Sequence, residues 1–419
     1  MTVGVVGAGI TGLALCHHLV ERGETVRVFE AEERAGGAIR STEVDGVVLE
    51  HGPQRTRRTD AVDELIEAAG LADAVVEADD DLPLYVYAGG RLRRVPMSVR
   101  SFLGTGLLSW RGKLRLLAEP LTAPGSPDET AAELFRRKFG DEAYENVIGP
   151  LFGGIYGSDP ARMPAGHALE SVLRLESAEG SLLKPAVRRV VAGGSSSAMS
   201  FDGGLQRLPA ALAERYADQV SLGRAVTAIE PADGRYQVRA RGEFVVVDDV
   251  VLTVPAGAAA DLLEPLDATS AGALRELTYN PLALVHLRSS ADAEGLGYQV
   301  RRDADLATLG VSWNASFFDR DGLYTAFLGG MPDPHLVERD PAELGDLARE
   351  EFEAVMDADA EVLNVTRLPR AMPAWDHTWS ALDRVELPDG IHLATNYTGR
   401  VGIPSRVRTA AELAGRLGV

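Results

Sequence analysis

The stretch from Val3 to Glu30 constrains this chain more than any other. A short apolar run, Val3 to Val6, leads into Gly7-Ala8-Gly9-Ile10-Thr11-Gly12 and then a helical stretch, Leu13 to Arg22. Gly23-Glu24 breaks the helix, and Thr25 to Phe29 forms a second apolar strand that ends at Glu30. Strand, glycine turn, helix and strand in this order open a doubly wound, Rossmann-like α/β domain. Gly7 lets the first strand turn sharply. Gly9 lets a pyrophosphate approach the backbone, and Gly12 lets the helix pack close to the sheet. The helix N-terminus faces the phosphates with free N–H groups and the positive end of its dipole. Glu30 stands where a carboxylate accepts both hydroxyls of an adenosine ribose, and its charge disfavours the 2′-phosphate of NADP.

The residues that follow choose between dinucleotides. After Glu30 come Ala31-Glu32-Glu33-Arg34-Ala35-Gly36-Gly37-Ala38-Ile39-Arg40. Here the chain resembles the family of FAD oxidases that includes amine oxidases and protoporphyrinogen oxidases. In that family an acid, a short loop, Gly-Gly and an Arg line the FAD from ribose to flavin. The resemblance implies FAD contacts along Gly7 to Gly12 and at Glu30, Ala31, Arg34, Gly36, Gly37, Ala38 and Arg40. Thr42 to Gly52 reads as a hairpin turning at Asp45-Gly46. Its end, Leu49-Glu50-His51-Gly52-Pro53-Gln54, resembles the segment that closes over the flavin, which adds Gly52, Pro53, Gln54 and Arg55. His51 reads as a structural histidine at a strand end, with a catalytic base as the alternative. Asp60 to Ala69 has helical periodicity.

Composition narrows the class. The chain has 419 residues, a net charge of −20, and only three lysines, Lys113, Lys138 and Lys184, among its 42 basic residues. An acidic, lysine-poor surface suits a high-salt cytoplasm and lacks the basic footprint of nucleic-acid binding. Cys16 is the single cysteine, so no intramolecular disulfide forms. With the first strand starting at residue 3 and no long apolar run, neither a leader nor a transmembrane helix is expected, and the location reads as cytoplasmic. One stretch runs against the overall charge. Leu84 to Arg115 holds Arg91, Arg93, Arg94, Arg100, Arg111, Lys113 and Arg115 with no acid, interleaved with Phe102, Leu103, Leu107, Leu108 and Trp110. Peripheral contact with the inner face of the cell membrane, attraction of a polycarboxylate substrate, and a solvated face paired with acids elsewhere all fit it.

Asp128 to Glu145 reads as one helix. Asn146 to Pro160 then carries Gly149-Pro150-Leu151-Phe152-Gly153-Gly154-Ile155-Tyr156-Gly157, a run similar to one in protoporphyrinogen oxidases. The helix Gly166 to Leu175 and the step Leu175-Glu176 follow it as they do in that branch. The resemblance puts the Gly154 backbone beside the flavin and the substrate, the one candidate catalytic position. Gly180 to Ser200 reads as a loop. Phe201-Asp202-Gly203-Gly204-Leu205 and the helix Leu208 to Tyr216 resemble the return to the FAD domain. Val220 to Ile229 is the next strand, with Val226 at the adenine. Tyr236 to Arg241 and Glu243 to Val247 form a hairpin, and Val250 to Val254 a buried strand. Leu282 to Leu287, Gly310 to Trp313 and Tyr324 to Leu328 alternate as strands of an antiparallel sheet. The implied substrate wall comprises Leu84, Gly157, Leu296, Gln299, Ser312 and Phe327. Leu84 stands where the family often carries a basic residue for a substrate propionate, and Gln299 and Ser312 are more polar than usual there. Pro341 to Met356 is helical. Met372-Pro373-Ala374-Trp375 resembles the family's Ile-Pro-x-Tyr, and Trp379 falls near a flavin-contacting Trp. Gly390 to Pro404 resembles the closing FAD segment, with Asn396, Val401, Gly402 and Ile403 at the flavin and a helix from Ser405 to Leu417.

The resemblance implies three parts. Residues 1–80, 190–255 and 375–419 form the FAD domain, 81–189 a helical and membrane-associating insertion, and 256–374 the substrate domain. It implies an FAD-dependent oxidoreductase that oxidises protoporphyrinogen or coproporphyrinogen to the porphyrin with O2 in haem biosynthesis, as monomer or homodimer and without a metal. An amine or polyene oxidase of the same superfamily is the alternative, with a non-catalytic relative behind it. No lysine follows Lys184 to match the one many amine oxidases place near the flavin, and no cysteine follows Cys16 to carry a covalent flavin link.

Overall fold

Five short strands drawn from across the chain pair in parallel, in the order Val220–Ser221, Thr25–Phe29, Thr2–Val6, Asp249–Leu252, Ile391–Leu393. The computed structural model describes residues 1–79, 82–191 and 197–417. Both faces of a parallel sheet are covered, so its strands are apolar throughout. Val3, Val5, Val28, Val250 and Val251 are fully buried. The helix Ile10–Glu21 packs between this sheet and the helix Ile403–Arg416, which explains why nearly all its residues from Ile10 to Leu19 are buried. Cys16 is one of them, an apolar packing residue whose thiol is pushed up to about 12 by burial. A three-stranded antiparallel layer, Val226–Ala232, Arg235–Ala240 and Glu243–Val247, closes over Gly4, where a Cβ would come within 3.2 Å of Val247.

The second unit is built on a seven-stranded sheet in the order Ala360–Pro373, Tyr279–Ser289, Leu323–Gly329, Thr308–Ser312, Gly297–Val300, Leu84–Tyr87, Leu92–Arg94. Register fixes its two faces. One face carries Ala283, Val285, Leu287, Tyr298, Val311, Tyr324 and Ala326, packed with the helix Pro341–Met356. The other carries Leu84, Gln299, Gly310, Ser312 and Phe327, which oppose one another along the ladders or lie two residues apart. Short helices and turns between residues 99 and 191 complete the unit.

Chain compactness groups the residues into two units: 1–77, 196–277 and 380–419 in one, 78–195 and 278–379 in the other. The insertion and the substrate sheet belong together because Leu84–Tyr87 hydrogen-bonds to Gly297–Val300 as a strand of the same sheet. The helices Ala256–Leu263 and Ala268–Glu276 fall in the first unit. The expected boundary at 80/81 lies outside the described residues.

Other expectations shift locally. The helix expected over 128–145 ends at Phe139, because Gly140 adopts φ +88°. A π-helical turn, Tyr144–Ile148, follows, and Gly149–Tyr156 continues as a helix despite its glycines. The helix expected over 166–175 is two pieces, Ala165–Ala168 and Glu170–Glu179. The expected loop over 180–200 contains the helix Leu183–Val191 and the start of the strand Ala198–Phe201, while 192–196 lie outside the described residues. The strand expected over 220–229 breaks at Gly223, φ +63°.

Candidate functional site

In the first unit two glycine loops lie side by side. Gly7 turns with φ +106°, and its N–H donates to the Phe29 carbonyl at 2.8 Å. A Cβ on Gly12 would stand 2.0 Å from the Gly7 carbonyl oxygen, so the helix approaches the turn only because residue 12 has no side chain. Gly9 differs: a Cβ there would meet no atom of the described residues within 4 Å. Space stays open beside Gly9, at the start of a helix whose N-cap has no side-chain cap, a geometry that suits an anion. The second loop bridges to the first through Gly9 and Gly36, and the Gly36 N–H donates to the Ala8 carbonyl at 2.8 Å. Gly36 (φ +115°) and Gly37 (φ +57°) take conformations that favour glycine.

Glu30 is held in place by the backbone. Its Oε2 accepts the Ala8 N–H at 2.7 Å and its Oε1 the Glu32 N–H at 3.0 Å. One lone pair on each oxygen remains for a ribose. Ala31 is exposed at the bend that follows. Arg34 braces the second loop, donating to the carbonyls of Gly37 (2.8 Å) and Ile39 (3.2 Å) and pairing with Glu32. Ala38 and Arg40 are exposed. A Cβ on Gly52 would lie 2.0 Å from the Ala38 carbonyl, so the hairpin end reaches this loop only as glycine. Pro53 is half-buried, and Gln54 is fixed by bonds to the carbonyls of Glu50 and Gly52. Burial of the Arg55 guanidinium, with Arg57 nearby, brings its pKa down to about 10. His51 bonds Thr42 Oγ1 through Nε2 at 2.6 Å. Burial and the charges of Arg40 and Arg34 push its imidazole pKa below the ordinary value. Val226 opens the strand opposite Ala240.

Asn396, Val401 and Gly402 sit in the loop that enters the Ile403–Arg416 helix, again with a glycine N-cap and no side-chain cap. Arg406 anchors this loop from beneath. It is buried and donates to the Thr395 carbonyl, and burial, with Arg408 nearby, brings its pKa down to about 10. Arg406 and Thr253 escaped the sequence reading, and Glu50 entered it only as the acid of the segment that closes over the flavin. Buried Glu50 accepts Ser41 Oγ at 2.6 Å and the Leu205 N–H at 3.0 Å, and Thr253 Oγ1 donates to the Val6 and Gly7 carbonyls at 2.9 Å. An acid inside an apolar strand end was the available signal for Glu50; no local pattern marks the other two.

In the second unit Leu84, Gln299, Ser312 and Phe327 share one sheet face, all half-buried. Leu296 lies just outside the strand, its N–H on the Pro83 carbonyl at 2.8 Å. The helix Gly149–Tyr156 lies against this face: a Cβ on Gly154 would fall 1.6 Å from Gln299 Oε1. Gly157, buried with φ +58°, accepts the Met331 N–H on its carbonyl at 2.7 Å. Farther along the same face the sequence reading missed a buried polar group. His286 opposes Thr325, and Thr325 Oγ1 bonds Asn314 Oδ1 at 3.1 Å. Trp375, held at φ +55°, stacks on Trp379 at 3.7 Å between ring centroids, and among the described residues neither buried indole N–H has a hydrogen-bond partner. No metal site was expected; the described residues bring one triad, His17, His18 and Glu64, within reach of a shared ion.

Comparison with known proteins agrees with this geometry. The sequence profile of flavin-containing amine oxidoreductases matches residues 10–416. Protoporphyrinogen oxidase 1 of spinach chloroplasts (Spinacia oleracea) is 28% identical, over 98% of this chain and 83% of that protein. Coproporphyrinogen III oxidase of Bacillus subtilis (strain 168) is 26% identical, over 89% of this chain and 87% of that protein. A crystal structure from Exiguobacterium sp. 255-15, provisionally assigned as a protoporphyrinogen oxidase, superposes with a TM-score of 0.81 at 25% identity, covering 99% of this chain and 98% of that one. Putrescine oxidase shares the fold, with a TM-score of 0.75 at 19% identity, covering 100% of this chain and 99% of that one. The glycine cradle, the Glu30 carboxylate and the two uncapped helix ends fit FAD, and the chain belongs to the flavin-containing amine oxidoreductase family, as an FAD-dependent oxidoreductase.

Proposed function

We propose that this chain oxidises a porphyrinogen to the porphyrin in haem biosynthesis, with molecular oxygen as the electron acceptor. The names of its relatives favour this substrate class. The observation that carries the reading is an uncharged wall. Leu84, Gln299, Ser312 and Phe327 bear no charge, and no lysine occurs between residues 278 and 379. A large neutral macrocycle core suits such a surface, whereas an ammonium substrate gains from a carboxylate or an aromatic cage. FAD, when bound, accepts the hydride that leaves a bridge carbon of the substrate. The chain's part is then to place that carbon and exclude water. Gln299 and Ser312 offer neutral hydrogen-bonding groups of the kind that pyrrole N–H groups use. Gly154 offers backbone alone.

The test is an aerobic assay of the yellow, salt-stabilised protein with protoporphyrinogen IX and with coproporphyrinogen III, following porphyrin fluorescence and peroxide against a blank. A faster rise with one identifies the substrate. A flat trace with both, from protein that retains FAD, overturns the reading. Porphyrin formation that needs an added quinone and yields no peroxide overturns oxygen alone.

A further inference from the structure

Two turns beyond the dinucleotide turn, the helix Ile10–Glu21 carries neighbouring histidines, His17 and His18. Consecutive helical side chains diverge by about 100°, so such a pair converges only on a group set between them. Glu64, from the helix Asp60–Ala68, is that group. Its Oε1 lies 3.3 Å from His17 Nε2 and 3.6 Å from His18 Nδ1. Among the described residues no other set of His, Cys and acid side chains brings three donor atoms together to share an ion. Both helices are fixed independently of the cluster. The first is buried along nearly its whole length. The second is capped by Thr59 and packs Val62, Leu65 and Ile66 into the same core. Backbone packing therefore holds the donors in place, as a preorganised site requires.

Distance separates a hydrogen-bonded cluster from a set of ligands. A charge-assisted N–H···O bond closes to about 2.7–2.9 Å. Neither histidine comes that near Glu64, and both approach the same oxygen. Ligands of one tetrahedral zinc ion, bonded at about 2.0–2.1 Å, stand about 3.3–3.4 Å apart along each edge of the tetrahedron. The two separations from Glu64 Oε1 fall at that length or just beyond it. The surroundings agree. His17 Nδ1, the nitrogen turned away from Glu64, lies 2.7 Å from Tyr216 Oη. That oxygen can accept the ring proton there, which orients the imidazole and leaves the Nε2 lone pair for a metal. Tyr216 Oη is held in turn by Arg215 Nε at 3.1 Å. The two histidine side chains are 5% and 11% exposed and Glu64 is 54% exposed, so the cluster opens to water on its carboxylate side.

We infer that His17, His18 and Glu64 form a binding site for a late first-row divalent ion, zinc foremost, with water in the fourth position. Two imidazoles and one carboxylate select such an ion over Ca2+ or Mg2+, which take oxygen ligands in larger number. The ion acts as a clip. It joins the helix that starts at the dinucleotide turn to the helix Asp60–Ala68 and, through Tyr216, to the end of the helix Arg207–Arg215. His17 lies about 10 Å along its helix from Ile10, so the ion supports the turn from behind and takes no part in flavin chemistry. The inference stands apart from the choice of substrate.

The test uses the flavin-loaded protein without an affinity tag. It is stripped with a chelator, incubated with zinc chloride, dialysed, and analysed for zinc and flavin together. A single zinc ion per chain is expected, with a Tm that rises with zinc concentration by mass action. Glu64→Gln and His18→Gln should each lose both the bound zinc and the zinc-dependent rise in Tm while keeping flavin. Glu64 is the more exposed position, so Glu64→Gln decides alone if His18→Gln does not fold. Tyr216→Phe keeps the ring and removes the oxygen, and should weaken zinc binding by about tenfold. A wild-type chain that retains no zinc overturns the inference. So does zinc that Glu64→Gln leaves in place, or that excess Mg2+ displaces, since either result puts the ion elsewhere among the chain's 62 acids.

Discussion

Gly9 and Gly12 belong to one turn, yet they are glycine for different reasons, and substitution separates them. At Gly12 the excluded volume belongs to the protein, 2.0 Å from the Gly7 carbonyl, so Gly12→Ala should cost about 3 kcal/mol or more of stability with or without flavin. At Gly9 no atom of the described residues is met and the backbone is extended. Gly9→Val should leave the apoprotein within about 1 kcal/mol in urea unfolding and still lower the flavin-to-protein absorbance ratio. Unchanged flavin retention in Gly9→Val would show that the open space serves something else. The sequence carried both glycines because their jobs are local: a turn, a helix start and an acid some twenty residues on. Arg406 and Thr253 were not legible. Their bonds to Thr395 and Gly7 span distances in sequence or depend on a buried position that no neighbouring residue announces.

Among the elements, the insertion between residues 119 and 183 turns on a buried cluster of charges. Lys138, Glu119 and Glu176 are all buried, with Lys138 Nζ 3.5 Å from Glu119 and paired with Glu176. Burial works to raise the Glu119 carboxyl, but Ser181, the Leu182 and Leu183 N–H groups and the Lys138 charge outweigh it and hold the pKa below the usual range. A depressed folded-state pKa contributes stability that is fully present above the unfolded pKa and is lost as pH falls through the folded one. The insertion should therefore loosen in acid, below about pH 4, by hydrogen exchange of the 131–139 helix, and Glu119→Gln should shrink that pH dependence. Lys138→Met strands two carboxylates and should cost about 3–5 kcal/mol near neutrality. The helix Gly149–Tyr156 makes a second prediction. Gly154→Ala collides with the Gln299 amide and should cost about 1–3 kcal/mol, most of it recovered in the Gly154→Ala/Gln299→Ala double variant, because the obstacle is a side-chain tip. If the double variant recovers nothing, the helix is held by its own backbone instead. Both elements show where sequence periodicity fails. The glycine-rich run over 149–157 carries no helical periodicity, yet it is helical where it lies against a sheet. The edge strand Ala360–Pro373, the longest in the sheet, was not seen, because Arg367, Pro369 and Arg370 dilute its alternation on a half-exposed edge.

At the scale of the molecule the acid excess governs behaviour. With 62 acids against 42 bases, self-repulsion opposes folding, and added salt screens it. Tm should rise by several degrees between low and molar KCl, and a flat profile would show that the acids are already balanced by the fold. Composition made this legible; the division into units was not. Leu84–Tyr87, from the segment read as a helical insertion, is a strand of the seven-stranded sheet, a pairing across more than two hundred residues that no local pattern records. The chain passes between its units at 77/78, 195/196, 277/278 and 379/380. The parallel sheet that frames the dinucleotide turn waits for Ile391–Leu393, and the helix on the turn waits for Ile403–Arg416. On a ribosome, residues 2–30 therefore spend almost the whole of synthesis as an unfinished sheet with its glycine turn formed but unsupported. Nascent chains halted before residue 391 should not retain flavin, so loading with the yellow cofactor becomes a signal that translation has run past that point.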